Sequence, residues 1–233
     1  MKIASCLLAL ITLIGQPAPP PALPPPIVSQ RWRVLRLARR KEDGFHFVAT
    51  GFAIARPERT YVVTCAHVIE KVGTGTPLFA DFQSPINAHA TLVLAKSADP
   101  DIAILATDVQ ISGRAQERTG EGKRGMQVFL VGFDDEHTEK DRPQIQNGVI
   151  EAMGWWVEEK QHRLFTSSTT TRSGARAMLI SGLVCNPGVS GSPVFGPDGQ
   201  IVAVTTAFTV DHRCLATAAP LAIELLEQIA AGG

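Results

Sequence analysis

Asn186-Pro187-Gly188-Val189-Ser190-Gly191-Ser192-Pro193-Val194 flanks a serine with glycines at 188 and 191 and runs straight into an apolar strand-former. The glycines permit a tight, unusual backbone around Ser190. On such a path the amides of Gly188 and Ser190 can point the same way, as donors to a developing oxyanion must. Taken alone, the stretch could equally be an ordinary Gly/Ser turn. Two segments upstream weigh against that.

The first is Val62-Val63-Thr64-Cys65-Ala66-His67-Val68-Ile69, an apolar strand that ends in small residues, then a histidine, then a helical pattern. A histidine at such a corner can turn its ring into a cleft, whereas any one of the chain's six histidines would ordinarily be structural. The second is Asp99-Pro100-Asp101-Ile102-Ala103-Ile104-Leu105. Asp101 abuts the apolar run and can be buried with it, while Asp99 suits the turn before it. Acyl transfer at a peptide bond needs a nucleophile, a base, an acid that orients the base, and oxyanion donors. The three segments, in the order His, Asp, Ser, could supply all four.

Outward from these segments the chain reads as mainly β. Its apolar runs are short, rich in Val, Ile, Phe and Thr, and separated by Gly, Pro and polar turns. Strands are expected at Arg31 to Ala38, Phe45 to Ala55, Tyr61 to Thr64, Thr91 to Ala95 and Asp101 to Thr107, with a short helix from Ala66 to about Val72. Gly51, inside the second of these strands, suggests a bulge or a close backbone approach. The second half repeats the texture at Met126 to Val131, Gln144 to Ala152, His162 to Ser168 and Ala177 to Val184. Pro197-Asp198-Gly199 is a turn between Val194-Phe195 and Gln200 to Thr206. Ser112 to Gly125 is polar and charged and suits a link between halves. Pro220 to Ala231 is apolar at helical spacing with proline in its first turn, so the chain is expected to end in a helix. A length of 233 residues suits one domain, or two small barrels sharing a cleft.

Lys plus Arg and Asp plus Glu number 22 each, so the net charge is zero and nothing global points to nucleic acid or an acidic substrate. The basic run Arg31, Arg33, Arg36, Arg39, Arg40 and Lys41 reads as a solvated strand and hairpin face in preference to a membrane-surface patch. Residues 1–26 are set apart from the domain. Met1-Lys2 is a positive start, and Ile3 to Gly15 is an apolar run of 13 residues, too short to span a bilayer comfortably, that looks like a secretory segment. Gln16 to Pro26 contains seven prolines and reads as a polyproline II spacer unable to form helix or sheet. Export to the periplasm or the exterior is expected, with membrane association only through this segment if it stays uncleaved. Cys6 would leave with it. Cys65, Cys185 and Cys214 then form an odd set, which suggests one bridge and one buried thiol. Cys65-x-His67, or His212-x-Cys214 with Cys185, offers a metal-binding alternative, but one-residue spacers do not match zinc signatures. Neither metal nor cofactor is expected.

Together the three segments resemble the chymotrypsin-fold (trypsin-like) serine peptidases, most closely their bacterial, HtrA-like branch, without a PDZ domain. "TCAHV" matches the family's T-A-A-H-V region, "DIAIL" its D-I-A-L-L region and "GVSGSPVF" its G-x-S-G-G-P region, over about residues 45 to 210. The resemblance implies two six-stranded antiparallel β-barrels with a C-terminal helix, barrel 1 over about 27–118 and barrel 2 over about 119–233. It implies a serine endopeptidase acting on protein or peptide substrates. His67 would be general base, Asp101 its orienting acid, Ser190 the nucleophile, and Gly188 and Ser190 the oxyanion donors. Thr206, Ala207 and Phe208 would line the substrate cleft, with the Thr206 hydroxyl in reach of Asp101.

The chain departs from the family pattern at two places. Ser192 replaces the motif's second glycine and stays open as an alternative nucleophile. Val189 replaces the aspartate that pairs with a freshly cut amino terminus in digestive members, so Ile27-Val28 is a chance echo of an activation site. The competing implication is a protease-like binding module without activity, and the presence of all three triad residues weighs against it. In the family's fold the segments carrying Cys185 and Cys214 flank the primary specificity pocket, which implies a Cys185–Cys214 disulfide and leaves Cys65 as a buried thiol. No Asp or Glu occurs between Glu159 and Asp198, and Phe208 would narrow the entrance. A shallow apolar pocket for small aliphatic P1 side chains follows, unless an acid such as Asp211 folds in from a loop.

Overall fold

The computed structural model describes residues 23–73, 76–81, 88–111, 118–134, 142–159, 162–166, 176–209 and 213–232. The signal-like segment up to residue 22 with Cys6, residues 112–117 of the linking stretch, the end of the expected strand at Ser168, and Asp211 and His212 lie outside the described residues. In the first half, β1 (Val34–Lys41), β2 (Gly44–Ala55), β3 (Thr60–Thr64), β4 (Leu78–Asp81), β5 (Ala88–Ser97) and β6 (Ile102–Thr107) close an antiparallel barrel in the order β1-β2-β3-β6-β5-β4. In the second half the strands are β7 (Gln127–Gly132), β8 (Gln144–Glu159), β9 (His162–Thr166), β10 (Arg176–Ser181), β11 (Pro193–Phe195), β12 (Ile201–Phe208) and β13 (Cys214–Ala218). They run β10-β13-β12-β11-β7-β8, and β8 returns to pair with β10, so six strands close again. β9 pairs with the far half of β8 as an added hairpin strand. The described residues add three α-helices: α1 (Pro25–Val28), α2 (Ala66–Val72) and α3 (Pro220–Gly232). α3 leaves barrel 2 through β13 yet packs on β5 and β6 of barrel 1.

Several strands are buried on both faces, which is why their sequences run apolar without alternation. On β3, Val62 faces the interior of barrel 1 with Leu35, Leu37, Ala103 and Leu105, while Tyr61 and Val63 face a second cluster. On β7, Val128 and Leu130 face the interior of barrel 2 with Ile150, Met178 and Ile180, while Phe129 and Val131 join that second cluster. It takes Phe52, Ile54, Ile102 and Ile104 from barrel 1, Phe195, Ile201 and Val204 from barrel 2, and Ala222 and Leu226 from α3. This is the seam between the barrels. Fully burying one such side chain is worth about 1.5–3 kcal/mol, so the seam fixes how the two halves sit.

Three expectations need correction, and a fourth position settles between two readings. Pro25–Val28 is helical although it overlaps the stretch read as a spacer. Pro24 is extended (φ −57°, ψ 130°), and prolines in the first turn of a helix give up amides that would be unbonded anyway. The turn seats Ile27, fully buried, in the seam. Arg31–Arg33 is a 3-10 turn, and the strand starts at Val34. The basic run is fully exposed only at Arg40 and Lys41, while Arg31, Arg36 and Arg39 are half-buried. Arg33 is buried with its guanidinium 5.1 Å from the Trp32 ring, and that of Arg36 lies 5.6 Å from Phe47 and 5.9 Å from Phe133. Stacking on rings and covering apolar surface keeps these charges in place. At Gly51 there is no bulge; β1 and β2 slip at Leu37/Ala38, opposite Val48. Of the two readings of Gly51 the close approach holds, since a Cβ there would stand 2.9 Å from Val62 Cγ1.

Candidate active site

Each candidate side chain is positioned by the end of an apolar strand. β3 delivers Cys65 and then α2, whose first turn carries His67. Cys65 gives α2 no side-chain cap. Asp101, just ahead of the neighbouring strand β6, does so: the His67 amide donates to Asp101 Oδ1 at 2.9 Å, satisfying one of the amides a helix start leaves free. The other carboxylate oxygen, Oδ2, lies 2.7 Å from His67 Nδ1. One aspartate therefore holds both the backbone and the ring of the histidine. Asp101 is buried, whereas the His67 side chain is 41% exposed and faces the cleft. On the ring's other side, Nε2 lies 3.1 Å from Ser190 Oγ, across from barrel 1 to barrel 2.

Around Ser190 the backbone takes the conformation its glycines allow. Gly188 has φ +101° and Gly191 φ +86°, both in the left-handed region. Neither position has room for a side chain: a Cβ on Gly188 would meet the Phe47 ring at 2.5 Å, and one on Gly191 would stand 3.1 Å from the Thr64 Cα. The Val189 amide donates to Asn186 O and the Gly191 amide to Thr205 O. The amides of Gly188 and Ser190 donate to no described residue. Ser192 is fully buried, with its hydroxyl against Gly132 and no hydrogen-bond partner. Of the two serines, Ser190 is the one within reach of His67.

The wall opposite comes from β12. Thr206 is buried, and its hydroxyl donates to Leu215 O at 3.3 Å. Its neighbour Thr205 is the residue that backs the site: its carbonyl accepts from the Cys65 thiol at 3.1 Å and from the Gly191 amide at 2.8 Å. Ala207 is half-buried, and Phe208 is exposed at the end of β12 opposite Cys214. Cys185 and Cys214 are joined, with Cα atoms 5.5 Å apart. The bridge ties the approach to the Ser190 loop onto β13 and occupies both sulfurs, so neither is available to a metal. Cys65 is a buried thiol. Ligand atoms of Cys65, His67 and Asp101 lie within 4.8 Å of one another. In this arrangement the histidine nitrogen bonds the carboxylate and the thiol bonds Thr205.

Two buried threonines, Thr50 and Thr205, escaped the sequence reading. The available signal was a threonine set beside glycine or threonine inside an otherwise apolar strand, and it is weak. Comparison with known proteins bears on the fold and the family. The fold is similar to that of Rv3671c from M. tuberculosis H37Rv in an inactive form of a serine-to-alanine variant, with a TM-score of 0.66 at 17% identity over 94% of this chain and 96% of that one. It is similar too to the inactive form of the Rv3671c protease, with a TM-score of 0.65 at 19% identity over 93% and 99% of the two chains. No curated protein matches the sequence. The family model described as "Trypsin-like peptidase domain" matches residues 49–204, which contain His67, Asp101 and Ser190 and span more than half of the chain. The chain therefore belongs to the trypsin-like peptidase family and is a serine-type peptidase.

Proposed function

We propose that the chain hydrolyses peptide bonds through His67, Asp101 and Ser190. One observation carries this: Ser190 Oγ, His67 Nε2, His67 Nδ1 and Asp101 Oδ2 form one continuous chain, 3.1 Å at the first link and 2.7 Å at the last. Asp101, accepting from Nδ1–H, leaves the Nε2 lone pair facing the serine. As Oγ attacks the substrate carbonyl carbon, its proton passes to Nε2 and Asp101 steadies the resulting imidazolium. The carbonyl oxygen gains the electron pair and is met by the amides of Gly188 and Ser190. The imidazolium then returns the proton to the leaving nitrogen, the C–N bond breaks, and Ser190 keeps the acyl group as an ester. Water, deprotonated by the same nitrogen, releases it.

The substrate class follows from what lines the cleft. Leu183 and Cys185 are buried ahead of the nucleophile loop, and Val184 is exposed with its backbone bonded on both sides by Gln146. A segment with no acid cannot hold a basic side chain, so the cleft suits small aliphatic P1 residues. The disulfide fits an oxidising compartment and supports export by residues 1–26.

One experiment tests the triad and the pocket together. Wild type should react with a fluorophosphonate and cleave matched peptides with Val or Ala at P1 faster than those with Arg or Phe. Ser190→Ala should keep the far-UV spectrum, lose labelling, and lose turnover by ~10⁴-fold or more. Labelling that survives in Ser190→Ala, or disappears in Ser192→Ala, would sink the assignment of the nucleophile. A strong preference for Arg would sink that of the pocket.

A further inference from the structure

Thr50 lies on β2, in the barrel that does not carry Ser190, and it is fully buried. Its backbone amide donates to Ser190 O at 3.0 Å. Its hydroxyl is 2.9 Å from Gly188 O, with Phe133 O a longer alternative at 3.3 Å for the same proton. The hydroxyl oxygen accepts the Phe133 amide at 3.0 Å. The Thr50 carbonyl accepts from Thr64 Oγ1 at 2.9 Å, three residues ahead of His67. One residue thus holds the carbonyls of both Gly188 and Ser190, the two residues whose amides are the proposed oxyanion donors, and ties them to the segment that delivers the histidine.

A glycine at φ +101° has no side chain to oppose rotation of its peptide planes. What fixes Gly188 must come from outside the loop. A hydroxyl bonded to its carbonyl in a buried site fixes the plane on one side of the Cα, and through it the direction of the amide on the other. Without the hydroxyl, the Gly188 carbonyl and the Phe133 amide lose a buried partner, and a loop conformation that satisfies them elsewhere gains ground. We propose that Thr50 is a positioning residue that aims the oxyanion donors, an inference resting on the triad and oxyanion reading above.

The test compares Thr50→Val, which keeps the shape and removes the hydroxyl, with Thr50→Ser, which restores it. The readouts are kcat and KM on a cleaved peptide, the rate of fluorophosphonate labelling, and affinity for a peptide boronate, whose tetrahedral adduct presents an oxygen to the two amides. Thr50→Val should lower kcat and labelling by about 10- to 100-fold, weaken the boronate in parallel, and leave KM within about threefold. Thr50→Ser should regain most of the loss. If Thr50→Val does not fold, Thr50→Ala carries the same test. Unchanged kcat in the apolar variant, an equal fall in Thr50→Ser, a change confined to KM, or loss of fold in both apolar variants would each overturn the proposal. Ser190→Ala separates the two readings. If it still turns over, the triad assignment fails; if it is dead while Thr50→Val matches wild type, only Thr50 falls.

Discussion

At the scale of single residues, the chain spends chemistry where shape allows only one choice. Gly188 rests on the Phe47 ring at a positive φ, so both its freedom and its lack of a side chain are used at once. Ser192 is the contrary case. Its hydroxyl is fully buried against Gly132 with no partner, and such a group destabilises a fold by about 1–3 kcal/mol. Ser192→Ala should therefore keep the proposed peptidase activity and raise the urea midpoint; a lowered midpoint at unchanged slope would show that the hydroxyl has a role in the fold. His67, Asp101 and Ser190 could be singled out as the proposed triad because each sits in a locally distinctive segment. Thr50 and Thr205 were not, because their partners lie 138 and 140 positions away in the chain. No local pattern encodes a bond of that span.

At the scale of elements, strands buried on both faces were the easiest to find, and helix α2 ends at Val72 as its pattern indicates. β4 (Leu-Phe-Ala-Asp) and β13 (Cys-Leu-Ala-Thr-Ala) escaped notice. Both are short, and they are strands because they pair with β1 and β5, and with β10 and β12, not because of their own residues. β8 runs seven residues past its expected end at Ala152, to Glu159, for the same reason: β9 and the start of β10 lie alongside. The opposite error concerned α1, where proline content hid a turn that plugs Ile27 into the seam. Pro26 in turn packs on Gly199 of the β11–β12 turn. Ile27→Ala should cost about 2–5 kcal/mol, read as a lower denaturant midpoint. A loss well under 1 kcal/mol would mean that the N-terminal turn sits on the molecule without bracing it.

At the scale of the whole molecule, the two barrels differ from ordinary neighbouring domains, which meet through modest and more polar interfaces. Here the seam is one apolar cluster drawn from both barrels and α3. His67 and Asp101 stand on one side of it and Ser190 on the other, so the 3.1 Å link between them measures how the barrels are set. Heating should give one cooperative transition with equal calorimetric and van't Hoff enthalpies, and the proposed peptidase activity should disappear along the same curve. Two separable transitions, or activity lost well before the first, would show that the barrels are held independently.

The placement of α3 has a consequence for biosynthesis. The helix is made after the whole of barrel 2, yet it covers β5 and β6 and adds Ala222 and Leu226 to the cluster around Ile102 and Ile104. At about 5–20 residues per second, the ribosome needs on the order of ten seconds to travel from Ile104 to Leu226. Barrel 2 supplies part of the cover as it emerges, but the patch on β5 and β6 that α3 covers waits out the whole interval. The first barrel is fully covered only once α3 has left the ribosome, and until then the exposed face is a natural holding point for a chaperone.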